Sequence, residues 1–277
     1  MSLPSPPDAA HREHRVDQGR TGDLIFERRG DILWALFNRA HARNALTWAM
    51  YDALAGLRDH VNADRSVRAV VLAGMGQTFA AGTDIAQFRA FNSELDAREY
   101  EAHGNEVMDT LESLRVPLVA ALAGACTGAG AIIACCADVR IVARSTRFGV
   151  PIARTLGNCL SHQNYVRLVS LIGYARTSEI LTTGRLMDAD ELRAAGAASE
   201  VVPDERLDAR AQELAESIAA NAPLTLRATR QALLRIRRQL LPQEDDVDLM
   251  RMCYQSHDFH EGVDAFLQKR KPEWRGE

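Results

Sequence analysis

Two short glycine-containing segments near the middle of the chain have the composition of loops that contact a ligand. They read FAAGTD at 79–84 and GACTGAGA at 124–131. Each follows an apolar run typical of a buried strand and precedes a helical pattern. The first N–H groups of a helix lack partners within it, and glycine lets a ligand oxygen approach them. The two loops predict paired main-chain donors, although tight strand-to-helix turns would require the same glycines.

A third segment, 153–165, carries polar side chains that are suited to acid–base chemistry. It reads ARTLGNCLSHQNY. If a helix begins at Thr155, Asn158 and His162 lie one turn apart on one face. Imidazole titrates near neutral pH, so His162 is a candidate general base, and Ser161 is a second acid–base candidate. The alternative is that His162 is a partly exposed helix residue and that Ser161 is a packing residue or a helix cap.

The cysteines and histidines do not form a recognisable metal or disulfide pattern. The chain contains five cysteines and eight histidines, and their spacing matches no such site. His257 and His260 lie three residues apart, which alone is a weak metal signal, so we expect no metal. Cys159 lacks a visible activating base and is expected to be a buried thiol. The odd cysteine number and the lack of a secretory signal predict a reduced, cytoplasmic protein.

Composition and charge exclude several classes of partner. The chain has 277 residues, 47% of them hydrophobic, and a net charge of −4. Such a charge provides no overall basic field, so we expect no nucleic-acid partner. The uncharged stretch 116–137 is rich in glycine, alanine, cysteine and threonine and contains Pro117. It predicts a buried strand, a turn and a helix, and we expect no membrane partner.

The elements that must position the two loops alternate between strands and helices. The sequence predicts a hairpin at 24–38, followed by a helix for which Thr47 is the N-cap. Apolar runs predict strands buried on both faces, and an amphipathic pattern predicts a long helix. This alternation predicts an α/β fold. The strands are expected at 67–74, 116–124 and 137–144, and the long helix at 96–114.

The chain is expected to divide into a tail, an α/β domain and a helical region. Residues 1–20 are polar and contain several prolines, so we expect a disordered tail. The α/β domain is assigned to 21–204 and the helical region to 205–277. The helical region offers little core of its own, so we expect it to pack on the α/β domain or on another subunit. Its helices are predicted at 205–220, 223–241, 244–255 and 257–268.

Five segments occur in an order and at a spacing that are specific to one family. They read NRAHARNAL, VRAVVLAGMGQTFAAGTDI, VPLVAALAGACTGAGAIIACCADVRIVARSTRFGVP, LTTGRLMDADELRAAGAASEVVP and SHDFHEGVDAFLQKRKPEWRG. From about Leu24 to Gly276 the chain resembles the enoyl-CoA hydratase/isomerase, or crotonase, family. The resemblance implies a spiral of ββα units with a helical C-terminal region. It also implies an acyl-CoA substrate and a homotrimer or a dimer of trimers.

The resemblance also implies a set of substrate contacts. The main-chain N–H groups of Thr83 and Ala129 would hold the thioester carbonyl, with coenzyme A as part of the substrate and no separate cofactor. Arg43 corresponds to a region of the family that lines the path of coenzyme A. Lys269 lies in the basic run QKRKPEW. This run would meet the phosphates of coenzyme A bound to this subunit or to a neighbouring one. The alternative is that it is a solvated tail. The remaining contacts are assigned to Ala45, Ala81, Asp84, Ile85, Gly128, Ile132 and Ile152.

The chain departs from the family pattern at the positions that carry proton transfer. Hydratases of this family use two glutamates, and the corresponding positions here are Ile132 and Ile152. Neither side chain can exchange a proton, so hydration by the usual route is doubtful. Ala129 replaces a glycine but keeps its N–H. The sequence therefore predicts an acyl-CoA enzyme of the hydratase/isomerase type that stabilises an enolate, or alternatively a non-catalytic acyl-CoA-binding protein.

Overall fold

The computed structural model describes residues 22–91, 93–242 and 244–277. The tail predicted at 1–20 lies outside these residues. Eight strands are described: β1 (Leu24–Arg29), β2 (Ile32–Phe37), β3 (Ala69–Gly74), β4 (Leu118–Leu122), β5 (Ala125–Thr127), β6 (Val139–Ala143), β7 (Arg147–Gly149) and β8 (Glu200–Val202).

The helices of the α/β part are interleaved with these strands. They are α1 (Trp48–Ala55), α2 (Leu57–Ala63), α3 (Glu94–Glu112), α4 (Ala129–Cys135), α5 (Ile152–Thr155), α6 (His162–Ile172), α7 (Tyr174–Thr183) and α8 (Ala189–Ala194). The later helices are α9 (Leu207–Ala219), α10 (Pro223–Leu240), α11 (Val247–Tyr254) and α12 (His257–Leu267). Short 3₁₀ helices occupy Ala40–Ala42, Ile85–Ala90 and Asp204–Arg206.

One six-stranded sheet forms the centre of the molecule. Its strand order is β1-β2-β3-β4-β6-β8, with β1 antiparallel to β2 and every other pair parallel. The predicted hairpin is confirmed, and its turn contains Gly30 at a φ of 62°, where glycine avoids a steric cost. Strands β2, β3 and β4 are apolar over their whole length, as expected where both faces of the sheet are covered.

A second, smaller layer of strand pairing runs beside the sheet. Strands β5 and β7 pair in parallel, and isolated bridges join Leu46 to Thr83 and Ala80 to Cys126. Successive turns of the chain therefore pass through the large sheet, through the small layer and then through a helix. The predicted α/β spiral of ββα units is confirmed.

The predicted helix starts and stops are mostly confirmed, with a local correction. Thr47 caps α1 by accepting a hydrogen bond from the Met50 N–H at 3.4 Å. The condition that a helix begins at Thr155 is not met, since α5 ends there and α6 begins only at His162. Gly157 adopts a φ of 71°, and a Cβ there would lie 3.2 Å from the main-chain oxygen of Asp258. Packing against α12 therefore interrupts the helix.

Three of the C-terminal helices, α9, α11 and α12, pack on the α/β part of the same chain, whereas α10 buries none of its residues. Helix α9 buries Leu207, Ala211 and Ala215 against the sheet. Helices α11 and α12 join an aromatic cluster with α3, in which Phe259 contacts Phe88 at a ring separation of 6.0 Å. Helix α9 therefore completes the core of the α/β part. The division of the chain at residue 204 stays a prediction. No helix within the described ranges is long and apolar enough to cross a membrane.

We predict that substituting alanine at two helical glycines has opposite effects on stability. A Cβ at Gly130 would lie 2.4 Å from the oxygen of Ala80, so Gly130→Ala should lower the free energy of unfolding by about 1–3 kcal/mol. A Cβ at Gly104 in α3 would meet nothing within 4 Å. Gly104→Ala should raise stability by about 0.5–1 kcal/mol because alanine favours the helix. Urea unfolding measures both values, and equal effects would contradict the prediction.

Candidate active site

A cavity of about 440 Å³ lies between the two glycine loops, α3, α4 and the segment that follows β7. Most of the substrate contacts that the sequence predicts line this cavity. They are Arg43, Ala45, Ala81, Thr83, Asp84, Ile85, Gly128, Ala129, Ile132 and Ile152.

The two loops touch each other because they lack side-chain bulk at the point of contact. A Cβ on Gly128 would lie 3.4 Å from the Cα of Gly82, and Gly82 has a φ of 104°. Main-chain hydrogen bonds hold each loop from behind. The Leu46 N–H donates to the Gly82 oxygen at 2.8 Å, and the Gly128 N–H donates to the Gly149 oxygen at 3.0 Å. The loops are therefore fixed before any ligand binds.

Main-chain donors are left available where these loops meet. The N–H groups of Thr83 and Ala129 donate to no other residue within the described part of the chain. Ala129 is the first residue of α4, whose N–H has no partner inside the helix. Both residues line the cavity. The cavity can therefore supply two hydrogen bonds to an oxygen atom.

The hydroxyl group of Thr83 belongs to a buried phenol network that the sequence did not reveal. It hydrogen-bonds to the Tyr51 hydroxyl at 2.8 Å and to the Tyr100 hydroxyl at 2.9 Å. Burial raises the pKa of Tyr51 to about 12 and also raises the pKa of Tyr100 well above its ordinary value. Both phenols therefore stay neutral at physiological pH, and they fix the Thr83 side chain from helices α1 and α3.

Glu101 on α3 is a buried cavity carboxyl that sequence reasoning missed. It is 5% exposed and accepts a hydrogen bond from the Tyr254 hydroxyl at 2.6 Å. Burial raises its pKa to about 7, and the charge of Asp246 acts in the same direction. The Tyr254 hydroxyl, together with the hydroxyl and N–H of Ser161, partly opposes this rise. A polar residue on the apolar face of α3 was the signal that could have revealed it.

Asp84 is the second carboxylate of the cavity lining, and its oxygens are engaged elsewhere. One oxygen accepts from the Arg39 guanidinium at 3.1 Å. The other accepts from the Ala86 N–H at 3.2 Å and caps the following 3₁₀ helix. Asp84 therefore fixes the end of the first loop.

The two isoleucines that the sequence analysis assigns to the family's glutamate positions both line the cavity. Ile132 on α4 is 2% exposed, and Ile152 at the start of α5 is half-buried. Met108 and Leu160 line the same region. This wall of the cavity is therefore apolar.

The structure places three predicted site residues outside the cavity lining. The Ser161 hydroxyl is buried behind the wall and donates to the Asn105 side-chain oxygen at 3.1 Å. His162 accepts from the Glu244 N–H through Nδ1 at 3.2 Å, so its ring faces the segment before α11. Lys269 is exposed just after α12.

The histidines considered for metal binding have other surroundings. His257 lies 3.9 Å from Asp258 at the start of α12, and the ring of His260 contacts that of Phe259. Within the described ranges no three histidine, cysteine or acidic side chains cluster as a metal site would require. Of the thiols, Cys159 is buried and its Sγ donates to the Leu249 oxygen at 3.5 Å.

We predict that Glu101 makes the stability of the fold pH-dependent. Its pKa is about 7 in the folded protein, whereas the ordinary pKa of a glutamate is 4.5. Between these pH values the folded state therefore binds one proton more than the unfolded state. The stabilisation that this proton gives is lost as the pH rises through 7. Relative to Glu101→Gln, the wild type should lose roughly 1.4 kcal/mol of unfolding free energy per pH unit in this window. Urea unfolding at several pH values measures the difference, and a constant difference would contradict the shift.

Comparison with known proteins gives a consistent result. Residues 27–277 match the family model described as enoyl-CoA hydratase/isomerase. The 2,3-dehydroadipyl-CoA hydratase of Escherichia coli is 31% identical over 92% of this chain and 99% of its own length. The enoyl-CoA hydratase EchA19 of Mycobacterium tuberculosis is 32% identical over 91% of this chain and 96% of its own length.

Solved structures agree with the sequence comparison. An enoyl-CoA hydratase/carnithine racemase from Magnetospirillum magneticum is 34% identical and superposes with a TM-score of 0.75. The match covers 92% of this chain and 96% of that one. The family-model match, the full-length similarity and the matching fold show that this chain belongs to the enoyl-CoA hydratase/isomerase family.

Proposed function

We propose that this chain is an enzyme that binds acyl-CoA thioesters and stabilises an enolate at the thioester carbonyl. The observation that carries the proposal is the pair of unpartnered N–H groups of Thr83 and Ala129 on touching loops of one cavity. Preorganised donors stabilise negative charge that develops on an oxygen, because they need no reorganisation during the reaction. The relatives named as acyl-CoA hydratases support the substrate class.

The two ends of the ligand would meet different surfaces. The exposed Arg43 lines the cavity and offers a cation to the phosphates of coenzyme A. The acyl group would lie against Ile132 and Ile152, which favour an unhydrated chain. Lys269 lies outside the lining and would meet the phosphates only of a ligand that extends along the surface.

The same isoleucines support a proposal about the reaction type. Hydration in this family uses two carboxyl groups, and both of these positions are apolar here. A reaction that moves a proton at the carbon next to the thioester needs fewer such groups, so isomerisation and decarboxylation fit better than hydration. We propose a lyase or isomerase in which hydratase activity is weak or lost.

A non-catalytic acyl-CoA-binding protein is the second candidate. The observation that favours it is the replacement of both glutamate positions by Ile132 and Ile152, which removes the family's usual acid–base groups. The cavity and its main-chain donors would then serve recognition alone. A cytoplasmic location and assembly as a homotrimer or a dimer of trimers belong to both proposals. The exposed apolar side chains of α10 would suit such contacts: Leu224, Leu233, Ile236 and Leu240.

Binding and turnover measurements on the wild-type protein separate these candidates. We expect calorimetry to detect binding of acetyl-CoA and butyryl-CoA. We expect crotonyl-CoA to keep its conjugated absorbance at high enzyme concentration, since hydration would require the missing carboxyl groups. Rapid loss of that absorbance would contradict the reduced hydratase activity. Failure of every acyl-CoA to bind would contradict both candidates.

We predict that Ala129→Pro removes a donor without unfolding α4. Proline has no N–H, yet it fits the first position of a helix. Turnover of the best acyl-CoA substrate should fall about 100- to 1,000-fold. Tyr174→Pro is the matched control, because Tyr174 is the exposed first residue of α7 and also follows a glycine with positive φ. Circular dichroism checks folding, and equal activity of both variants would count against the proposed donor.

A further inference from the structure

We propose that Glu101 is the proton-transfer group of this cavity, exchanging a proton with the carbon next to the thioester carbonyl of a bound acyl-CoA. This inference rests on the proposed function and identifies the acid–base group that the isoleucines leave missing. It starts from the position of Glu101 on α3, in a wall of the cavity separate from the glutamate positions of the family pattern.

The geometry of α3 brings Glu101 to the cavity. Glu101, Gly104 and Met108 follow one another at helical spacing and all line it. Gly104 carries no side chain, and a Cβ there would meet nothing within 4 Å. This leaves open space one turn from the Glu101 carboxyl, into which an acyl group can extend.

The same helix connects Glu101 to the proposed donors. The neighbouring Tyr100 hydrogen-bonds through its hydroxyl to the Thr83 side chain at 2.9 Å. Thr83 also carries a main-chain N–H that the proposed function assigns to the carbonyl oxygen. Consecutive residues of α3, Tyr100 and Glu101, therefore hold the loop residue that carries one proposed donor and supply the carboxyl group.

Of the two cavity carboxyl groups, only Glu101 lacks a cationic partner. Asp84 is paired with the Arg39 guanidinium at 3.1 Å, whereas Glu101 accepts a hydrogen bond from the neutral Tyr254 hydroxyl and lies beside the N–H of Ser161. The buried glutamate Glu112, farther along α3, is bound by Arg167 at 2.9 Å and does not line the cavity. A carboxyl group without a cation keeps a basicity suited to proton transfer.

The groups that act on the Glu101 charge come from every element packed around it. Asp246, before α11, is the charged one. The others are neutral phenols or a thiol: Tyr51, Tyr100, Tyr165, Tyr254 and Cys159. Burial and the Asp246 charge both favour the protonated carboxyl, and burial raises its pKa to about 7. Glu101 can therefore exist in either protonation state near neutral pH.

The proton-transfer step balances without any further reactant. The Glu101 carboxylate takes a proton from the carbon next to the thioester, and the C–H electron pair forms the carbon–carbon double bond of the enolate. The former carbonyl electron pair moves to the oxygen, where Thr83 and Ala129 donate hydrogen bonds. Return of the proton to the same carbon gives exchange. In a β,γ-unsaturated acyl-CoA, return at the γ-carbon moves the double bond into conjugation.

The test measures deuterium incorporation into butyryl-CoA in deuterated buffer by mass spectrometry, together with calorimetric binding of the same ligand. We expect the wild type to incorporate deuterium next to the thioester. Glu101→Gln should slow incorporation at least about 100-fold while affinity changes less than about threefold. Glu106→Gln, an exposed glutamate on the same helix, is the matched control and should exchange at the wild-type rate.

A second variant tests the same carboxyl without removing it. Tyr254→Phe deletes the hydroxyl that donates to Glu101 at 2.6 Å and favours its charged form. The pH at which exchange reaches half its maximal rate should therefore move upward. A purely structural role for Glu101 would leave this pH unchanged. This readout stays informative if Glu101→Gln does not fold.

The outcomes distinguish this inference from the proposed function. Equal exchange by the wild type and Glu101→Gln would overturn the role of Glu101 and leave the proposed function standing. Binding of butyryl-CoA without any exchange by the wild type would also overturn it, and would favour the non-catalytic candidate. Absence of binding would overturn the proposed function itself.

Discussion

The contact between the two glycine loops is the constraint on which the rest of this site depends. Gly130 passes so close to Ala80 that a Cβ would lie 2.4 Å from its oxygen, and Gly82 lies against Gly128. At Gly130 only a hydrogen atom fits between the two main chains. The close approach brings the N–H groups of two separate loops to one cavity, and the parallel sheet behind them prevents the loops from moving apart. A side chain at Gly130 would therefore push the two loops apart.

A second constraint is the cover that the chain places over its own cavity. Helices α11 and α12 pack against α3 and the 3₁₀ helix through aromatic rings, including Phe88 and Phe259. Tyr254 extends from this cover to the Glu101 carboxyl. The low polarity that results disfavours a charged carboxylate and keeps the phenols neutral. The C-terminal helices therefore shape the acid–base properties of a cavity whose donors come from the α/β spiral.

Much of the fold could be predicted because its signals are local. The apolar runs of β3, β4 and β6, the hairpin at Gly30 and the Thr47 cap each depend on a few consecutive residues. The segment after Thr155 shows the limit of such signals. A helix beginning at Thr155 would place Asn158 and His162 on one face, yet contact between Gly157 and α12 keeps the chain out of a helix there. That contact joins segments about a hundred residues apart, so local pattern does not report it.

The sequence by itself indicated the family through the order and spacing of its motifs, and that resemblance implied the spiral fold. It also located the two loops, because glycine spacing and apolar runs are local signals in consecutive residues. The same resemblance predicts that Ile132 and Ile152 stand where relatives carry proton-transfer groups. Only the tertiary structure decided which polar side chain faces the cavity instead. His162 turns toward Glu244, Ser161 lies behind the wall, and Glu101 lines the space. The orientation of a side chain and the burial that raises its pKa depend on packing between distant elements, which no local pattern specifies.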